Sequence, residues 1–194
     1  MKTAFAAFSA FFILANAGFA ADTAPKLETN SAAYLTYKSL VLEKHIRVVG
    51  VNRRLLVQME NAGGGQQRVR VEMPIRAFDS GAQGREDYVA NALGAKVQSN
   101  LIFLSKPRSA GEWKALFQEP KFSIAGELTI AGKNSTLAFD CKPGLTGDSF
   151  TAVHVGSYGA FGLEIPMVGP GGMIGKAENY LELHAAISLK SLFP

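Results

Sequence analysis

The chain has one cysteine, Cys141, in 194 residues. A lone thiol can form neither an intramolecular disulfide nor a cysteine-based zinc site. Histidine is almost as scarce. His45, His154 and His184 are far apart in sequence, and none has a second ligand at helical metal spacing, so no metal is expected. Charge is sparse too: 20 Lys and Arg against 16 Asp and Glu give a net +4, with no basic cluster beyond Arg53-Arg54. That dispersal gives nucleic-acid binding no support. After the first twenty residues no apolar run approaches the length of a spanning helix, so the chain is not expected to be membrane-spanning.

Catalytic signatures are missing as well. Gly156-Ser157-Tyr158-Gly159 lacks the spacing of a nucleophile elbow. Gly169 to Ala177 only superficially suggests a phosphate loop: its spacing is one residue too long, and Ala177 stands where a magnesium-binding hydroxyl would be needed. No catalytic residue and no cofactor is expected.

What the chain does have begins with a leader. Lys2 precedes an apolar run, Ala4 to Ala15, and Gly18-Phe19-Ala20 places small residues for a cut after Ala20. Residues 1–20 read as a secretory signal peptide, 21–31 as a flexible lead-in and 32–194 as one domain. A short n-region, a small-residue cut and no disulfide fit a bacterial periplasmic protein.

Period-two alternation dominates the domain. Leu55, Val57 and Met59 share one face, then Val69, Val71, Met73 and Ile75 another, around a glycine turn at 63–65. Phe122, Ile124, Gly126, Leu128 and Ile130 alternate before Ala131-Gly132-Lys133-Asn134, and Leu137, Phe139 and Cys141 follow. Further strands are expected at Leu35–Leu42, Val97–Leu104, Ser149–Val155 and Tyr180–Leu189. Eight strands with turn signals between them indicate an all-β sandwich or barrel. Residues 156–175 read as loop.

One segment breaks the pattern. Ser80 and Gln83 fit a capping box, Val89 and Leu93 recur at i, i+4, and Gly94 can end a helix over about residues 81–93. Tyr88, Val89 and Leu93 are expected to turn inward. Glu86 and Asp87 are adjacent, so on a helix they point about 100° apart and cannot converge on one bond. Their place near the N-terminus suits the helix dipole instead.

The order of these pieces resembles the YceI-like family. A strand over Val69–Arg76 is followed by Phe78-Asp79-Ser80-Gly81 and Arg85-Glu86-Asp87-Tyr88-Val89. Asn100–Ser105 is similar to the family's "I-T-F-x-S" strand, and Gly126 to Gly132 to its "G-x-L-T-I-x-G" hairpin. Phe161-Gly162-Leu163 stands where the family has "D-F-G-I", and Ile174 to Glu178 where it has "V-G-D-x-V". The opening His-Ser strand motif is absent, and Ala160 replaces the Asp before Phe161, so the resemblance is to a divergent member. It implies a lipocalin-like, eight-stranded antiparallel barrel with the short helix near one end, holding an isoprenoid or other long-chain lipid.

On that reading the candidate ligand-binding residues are the inward ones. They are Leu55 and Val57, Val71 and Met73, Val89 and Leu93 on the helix, Leu101 and Phe103, Ile124 and Leu128, Phe150 and Phe161, and Leu181 and Leu183. The expected function is a periplasmic carrier for a polyisoprenoid, an isoprenoid quinone or a similar lipid, without catalysis. Two alternatives stand beside it: an enzyme acting on a lipid in the barrel through His154, His184 and Glu164, and a filled barrel serving as a stress-related interaction module. A homodimer stays open.

Overall fold

A computed structural model describes residues 24–42, 45–82 and 84–193. The expected leader lies outside the described residues. In chain order the elements are β1 (Ser31–Leu40), β2 (Ile46–Asn52), β3 (Leu56–Gly63), β4 (Gln66–Pro74), β5 (Phe78–Asp79) and α1 (Arg85–Ala92). Then come β6 (Asn100–Ser105), β7 (Arg108–Ser109), α2 (Ala110–Leu116), β8 (Phe122–Ile130), β9 (Lys133–Pro143) and β10 (Ser149–Gly156). The chain finishes with β11 (Met167–Val168), β12 (Gly175–Ala177), β13 (Leu181–Ser188) and α3 (Leu189–Leu192).

All the strands pair antiparallel in one curled, half-barrel sheet, in the order β11-β12-β1-β13-β10-β9-β8-β6-β4-β3. β2 lies on β1, β5 on β2 and β7 on β4. The sequence reading expects eight strands in a barrel. The sheet has ten along its main path and thirteen in all. Each of the eight expected strands is present, with ends shifted by a few residues. The additions are β2, three two-residue strands and β12, the last of which lies with β11 in or just past the stretch read as loop.

β2 escapes period-two reading for a physical reason. Its buried positions are Val48, Gly50 and Asn52, only one of them a large apolar residue. Gly50 stands opposite Tyr34 in the β1·β2 register, and the tyrosine ring lies directly over it. A Cβ at position 50 would fall 2.2 Å from Tyr34 Cε1, so no larger residue fits beneath the ring. Asn52, fully buried, donates its side-chain amide to the Pro74 carbonyl at 2.9 Å and accepts the Arg54 N–H at 2.8 Å. Beside it Val51 and Asn52 pair with Asp79 and Phe78. This seam ties the β2 side of the sheet to the end of β4. Pro74, lacking an N–H, sits where the pairing between β3 and β4 has already ended.

The deep interior is filled by rings. Phe103 lies over Gly126, where a Cβ would be 2.7 Å from its Cζ, and meets Phe139 edge-on at 5.2 Å. The glycine of the "G-x-L-T-I-x-G" stretch therefore makes room for an aromatic side chain. At the end of the sheet where β8 and β10 begin, Trp113 and Phe150 both stack on Phe117, with Phe122 edge-on to it. Trp113 is wholly buried and donates its indole N–H to the Gln67 carbonyl at 2.9 Å. It is placed there by α2, whose N-terminus carries a capping box between Ser109 and Glu112. Such buried rings contribute about 1.5–3 kcal/mol each through area alone.

α1 lies toward the opposite end. It begins at Arg85, not Gly81, with Gly84 as N-cap at φ +78° and no side-chain cap. Ser80 does not cap; its hydroxyl meets Glu86 Oε1 at 3.5 Å, while the Asp79 carboxylate accepts the Gly81 N–H at 2.8 Å. Gln83 lies outside the described residues. The local Asp79 turn outcompetes a helical start, and α1 forms only once Gly84 has redirected the chain. Asp87 pairs with Arg76 at 3.2 Å on the surface, a contact of little energetic weight.

Two outcomes follow. Gly50→Ala should lower stability by about 1–3 kcal/mol in chemical denaturation, because the added methyl must displace the Tyr34 ring. Cys141 is buried, and burial pushes its thiol up to about 12. It should stay inert to a thiol reagent in native protein at mildly alkaline pH and react fully once unfolded. The folded thiol holds its proton more tightly than the unfolded one. This contribution to stability is therefore fully present below about 9 and lost as pH rises toward about 12, which a denaturation series would register.

Candidate ligand-binding cavity

At the α1 end the inward side chains become small. Where the deep interior has Phe103, Phe139 and Phe150, this end has Thr36, Val48, Ala92 and Ala177, and the result is a cavity of about 500 Å³. One wall is a period-two row on β1, Tyr34, Thr36 and Lys38, backed by Val48 and Leu181. α1 supplies Arg85, Tyr88, Val89 and Ala92, with Leu93 just after its last turn. Tyr158 and the segment from Pro166 to Gly169 complete the lining. A second, much smaller void of about 50 Å³ lies among the deep strands. The Tyr34 ring, a wall of the first, packs against Phe78, a wall of the second, with centroids 5.5 Å apart. That aromatic pair partitions the interior.

The larger cavity is mostly apolar. Among the described residues, Lys38 and Arg85 line it and no carboxylate does. The Tyr34 hydroxyl is buried without a hydrogen-bond partner among the described residues. Burial drives its pKa far above the ordinary tyrosine range, so it stays protonated and able to donate. Tyr158 is raised for the same reason, opposed by a hydrogen bond with the Thr36 side chain.

The structure distributes the candidate residues over three places. Val89, Leu93 and Leu181 line the 500 Å³ cavity. Val71, Met73, Leu101, Phe103, Ile124, Leu128, Phe150 and Leu183 surround the small deep void. Leu55, Val57 and Phe161 pack in the core and border neither. Tyr88 does not turn inward as expected: it is 69% exposed, and stands at the cavity rim. At about 100° per residue Tyr88 lies about 200° from Ala90 and about 140° from Leu93, off the buried face those two share.

The row Tyr34-x-Thr36-x-Lys38 is not among the expected ligand-binding residues; its strand is buried on both faces from Ser31 to Thr36. The polar groups required for lipid chemistry do not converge. His154 pairs with Leu183 across β10·β13, so His154 and His184 face opposite sides of the sheet. His154 lies between Phe139 and Phe161 with Nδ1 2.9 Å from the Ala138 carbonyl. His184 is held 2.6 Å from Glu182 Oε2, whose other oxygen accepts from the Tyr180 hydroxyl. Glu164 is exposed. Among the described residues no group of three or more His, Cys, Asp or Glu is placed to hold a metal, and no helix is long and apolar enough to cross a membrane.

The architecture is a curled antiparallel sheet with an apolar chamber beside a short helix. No family model and no curated protein matches the chain. Solved structures do. A polyisoprenoid binding domain from Saccharophagus degradans, implicated in plant cell wall breakdown, superposes with a TM-score of 0.58 at 11% identity, over 81% of this chain and 92% of that one. Burkholderia cenocepacia BcnA does so at 0.54 and 17%, over 80% and 94%. A Campylobacter jejuni YCEI protein aligns more loosely, at 0.49 and 14%, over 86% and 92%. The chain has the YceI-like fold, carried on a divergent sequence.

Ala92→Trp should fill part of the chamber. The expected result is a stability change within about 1 kcal/mol and at least about tenfold weaker binding of an apolar fluorescent probe, measured by titration. Equal probe binding by the two proteins would place the probe elsewhere.

Proposed function

We propose that the protein is an exported, periplasmic carrier or sequestering protein for a long-chain apolar molecule, a polyisoprenoid, an isoprenoid quinone or a similar lipid, and that it makes and breaks no bonds. The observation that carries this reading is the 500 Å³ apolar chamber beside α1. It falls within the range of about 300–1,000 Å³ usual for small-molecule sites. Each methylene buried there contributes about 0.8 kcal/mol, so a chain of modest length binds without polar recognition, less the entropy of association.

Three further points support the reading. A protein of the same fold is described as a polyisoprenoid binding domain. The leader-like first twenty residues and the absence of any possible internal disulfide suit a periplasmic protein. His154 and His184 point to opposite faces of the sheet, which leaves the enzymatic alternative without a converging pair. A chain longer than the chamber would leave between Tyr88 and Met167 at the rim, or enter the deep interior by displacing the Tyr34–Phe78 partition.

Organic extraction of the purified protein followed by mass spectrometry should release a long-chain lipid in near-stoichiometric amount. Protein that yields none, and that fails to take up an added long-chain lipid in titration, would count decisively against a carrier.

A further inference from the structure

The lining of the chamber is not that of a site for a purely apolar guest. Lys38 and Arg85 are both half-buried against its apolar wall, and neither forms an ion pair with another described residue. On the β3–β4 hairpin, by contrast, half-buried cations are matched: Arg68 pairs with Glu60, and Arg70 with Glu60 and Glu72. A neutral tail packed over Lys38 and Arg85 would strip their water and return nothing, whereas an anion would restore the lost interaction.

The Tyr34 ring forms part of the wall between the chamber and the deep interior. Its hydroxyl oxygen is enclosed against β2, where a Cβ at position 50 would lie 2.7 Å away, so the ring and not the hydroxyl meets the ligand space.

α1 brings Arg85 to the chamber. Ala82, Gly84 and Arg85 border it, whereas the acids of the first turn, Glu86 and Asp87, do not line it. Asp87 meets Arg76 at 3.2 Å.

We propose that the chamber selects amphiphiles with an anionic head, a carboxylate or a phosphate ester, held by Arg85 and Lys38. The inference rests on the carrier reading and narrows its ligand class. The tail lies along Val48, Val89, Leu93 and Leu181, and the head lies where the β1 row meets the start of α1.

The test is a calorimetric titration of the full mature chain, after delipidation, with dodecanoate, dodecyl phosphate, dodecanol and inorganic phosphate at neutral pH. At least one of the two anionic amphiphiles should bind about tenfold or more tighter than dodecanol, and that preference should shrink as salt is raised. Which of the two binds better identifies the head as carboxylate or phosphate ester. Arg85→Gln with Lys38→Gln should abolish the preference of the anionic amphiphiles over dodecanol. Equal affinity for all three chain molecules would overturn the head-group assignment and leave the carrier standing. Inorganic phosphate binding as tightly as dodecyl phosphate would also overturn it, by showing a phosphate site indifferent to the tail. If none of the chain molecules binds, the carrier reading falls and this one falls with it. The wild-type ligand series and its salt dependence decide the matter even if a variant fails to fold.

Discussion

The contact on which the interior depends is the close approach of the Tyr34 ring to the backbone at Gly50. Because nothing projects from position 50, the ring edge rests against that backbone, and the ring reaches Phe78 on the short strand that follows β4. The Tyr34–Phe78 pair stands between a deep region crowded with rings and the chamber. The same device recurs at Phe103 and Gly126, where a second ring fills the space over a second glycine. Close packing of this kind leaves few voids larger than a water molecule, so an open chamber survives only where large side chains are withheld.

Position and charge of the chamber come from different elements brought to one end of the sheet. β1 supplies Tyr34, Thr36 and Lys38 at every second residue, and α1 supplies Arg85 across from them. The seam at Asn52 keeps that arrangement together, since it joins β2 to the end of β4, from which the chain runs through β5 to α1. The opposite end carries α2 with its buried Trp113 stacked on Phe117.

Much of the fold is legible in the residues. The hairpins β3–β4 and β8–β9 follow from alternation and their glycine turns, and Glu86 and Asp87 fall in the first turn of α1, as their place in the sequence suggests. β2 is not legible, because its inward positions include a glycine under a ring and a buried asparagine, both meaningful only next to their partners. α2 is signalled locally by Ser109 and Glu112 at capping-box spacing. The start of α1 is misread because Ser80 with Gln83 fits a cap, whereas the Asp79 turn and Gly84 set the backbone. The lining row on β1 is hidden for another reason. From Ser31 to Thr36 every residue is buried, so alternation there does not say which face looks into the chamber.

Taken alone, the sequence determines the antiparallel β class, the lack of disulfide and metal chemistry through cysteine, and the residues able to point inward, because period, turn residues and residue type are local properties. Whether an inward residue meets a ligand or another side chain is decided only in three dimensions. Phe103 and Val89 are both expected to point inward, yet one fills the interior over Gly126 and the other borders the chamber. The difference lies in the volume of the residues across from them, which strand register and the curl of the sheet bring together from distant parts of the chain.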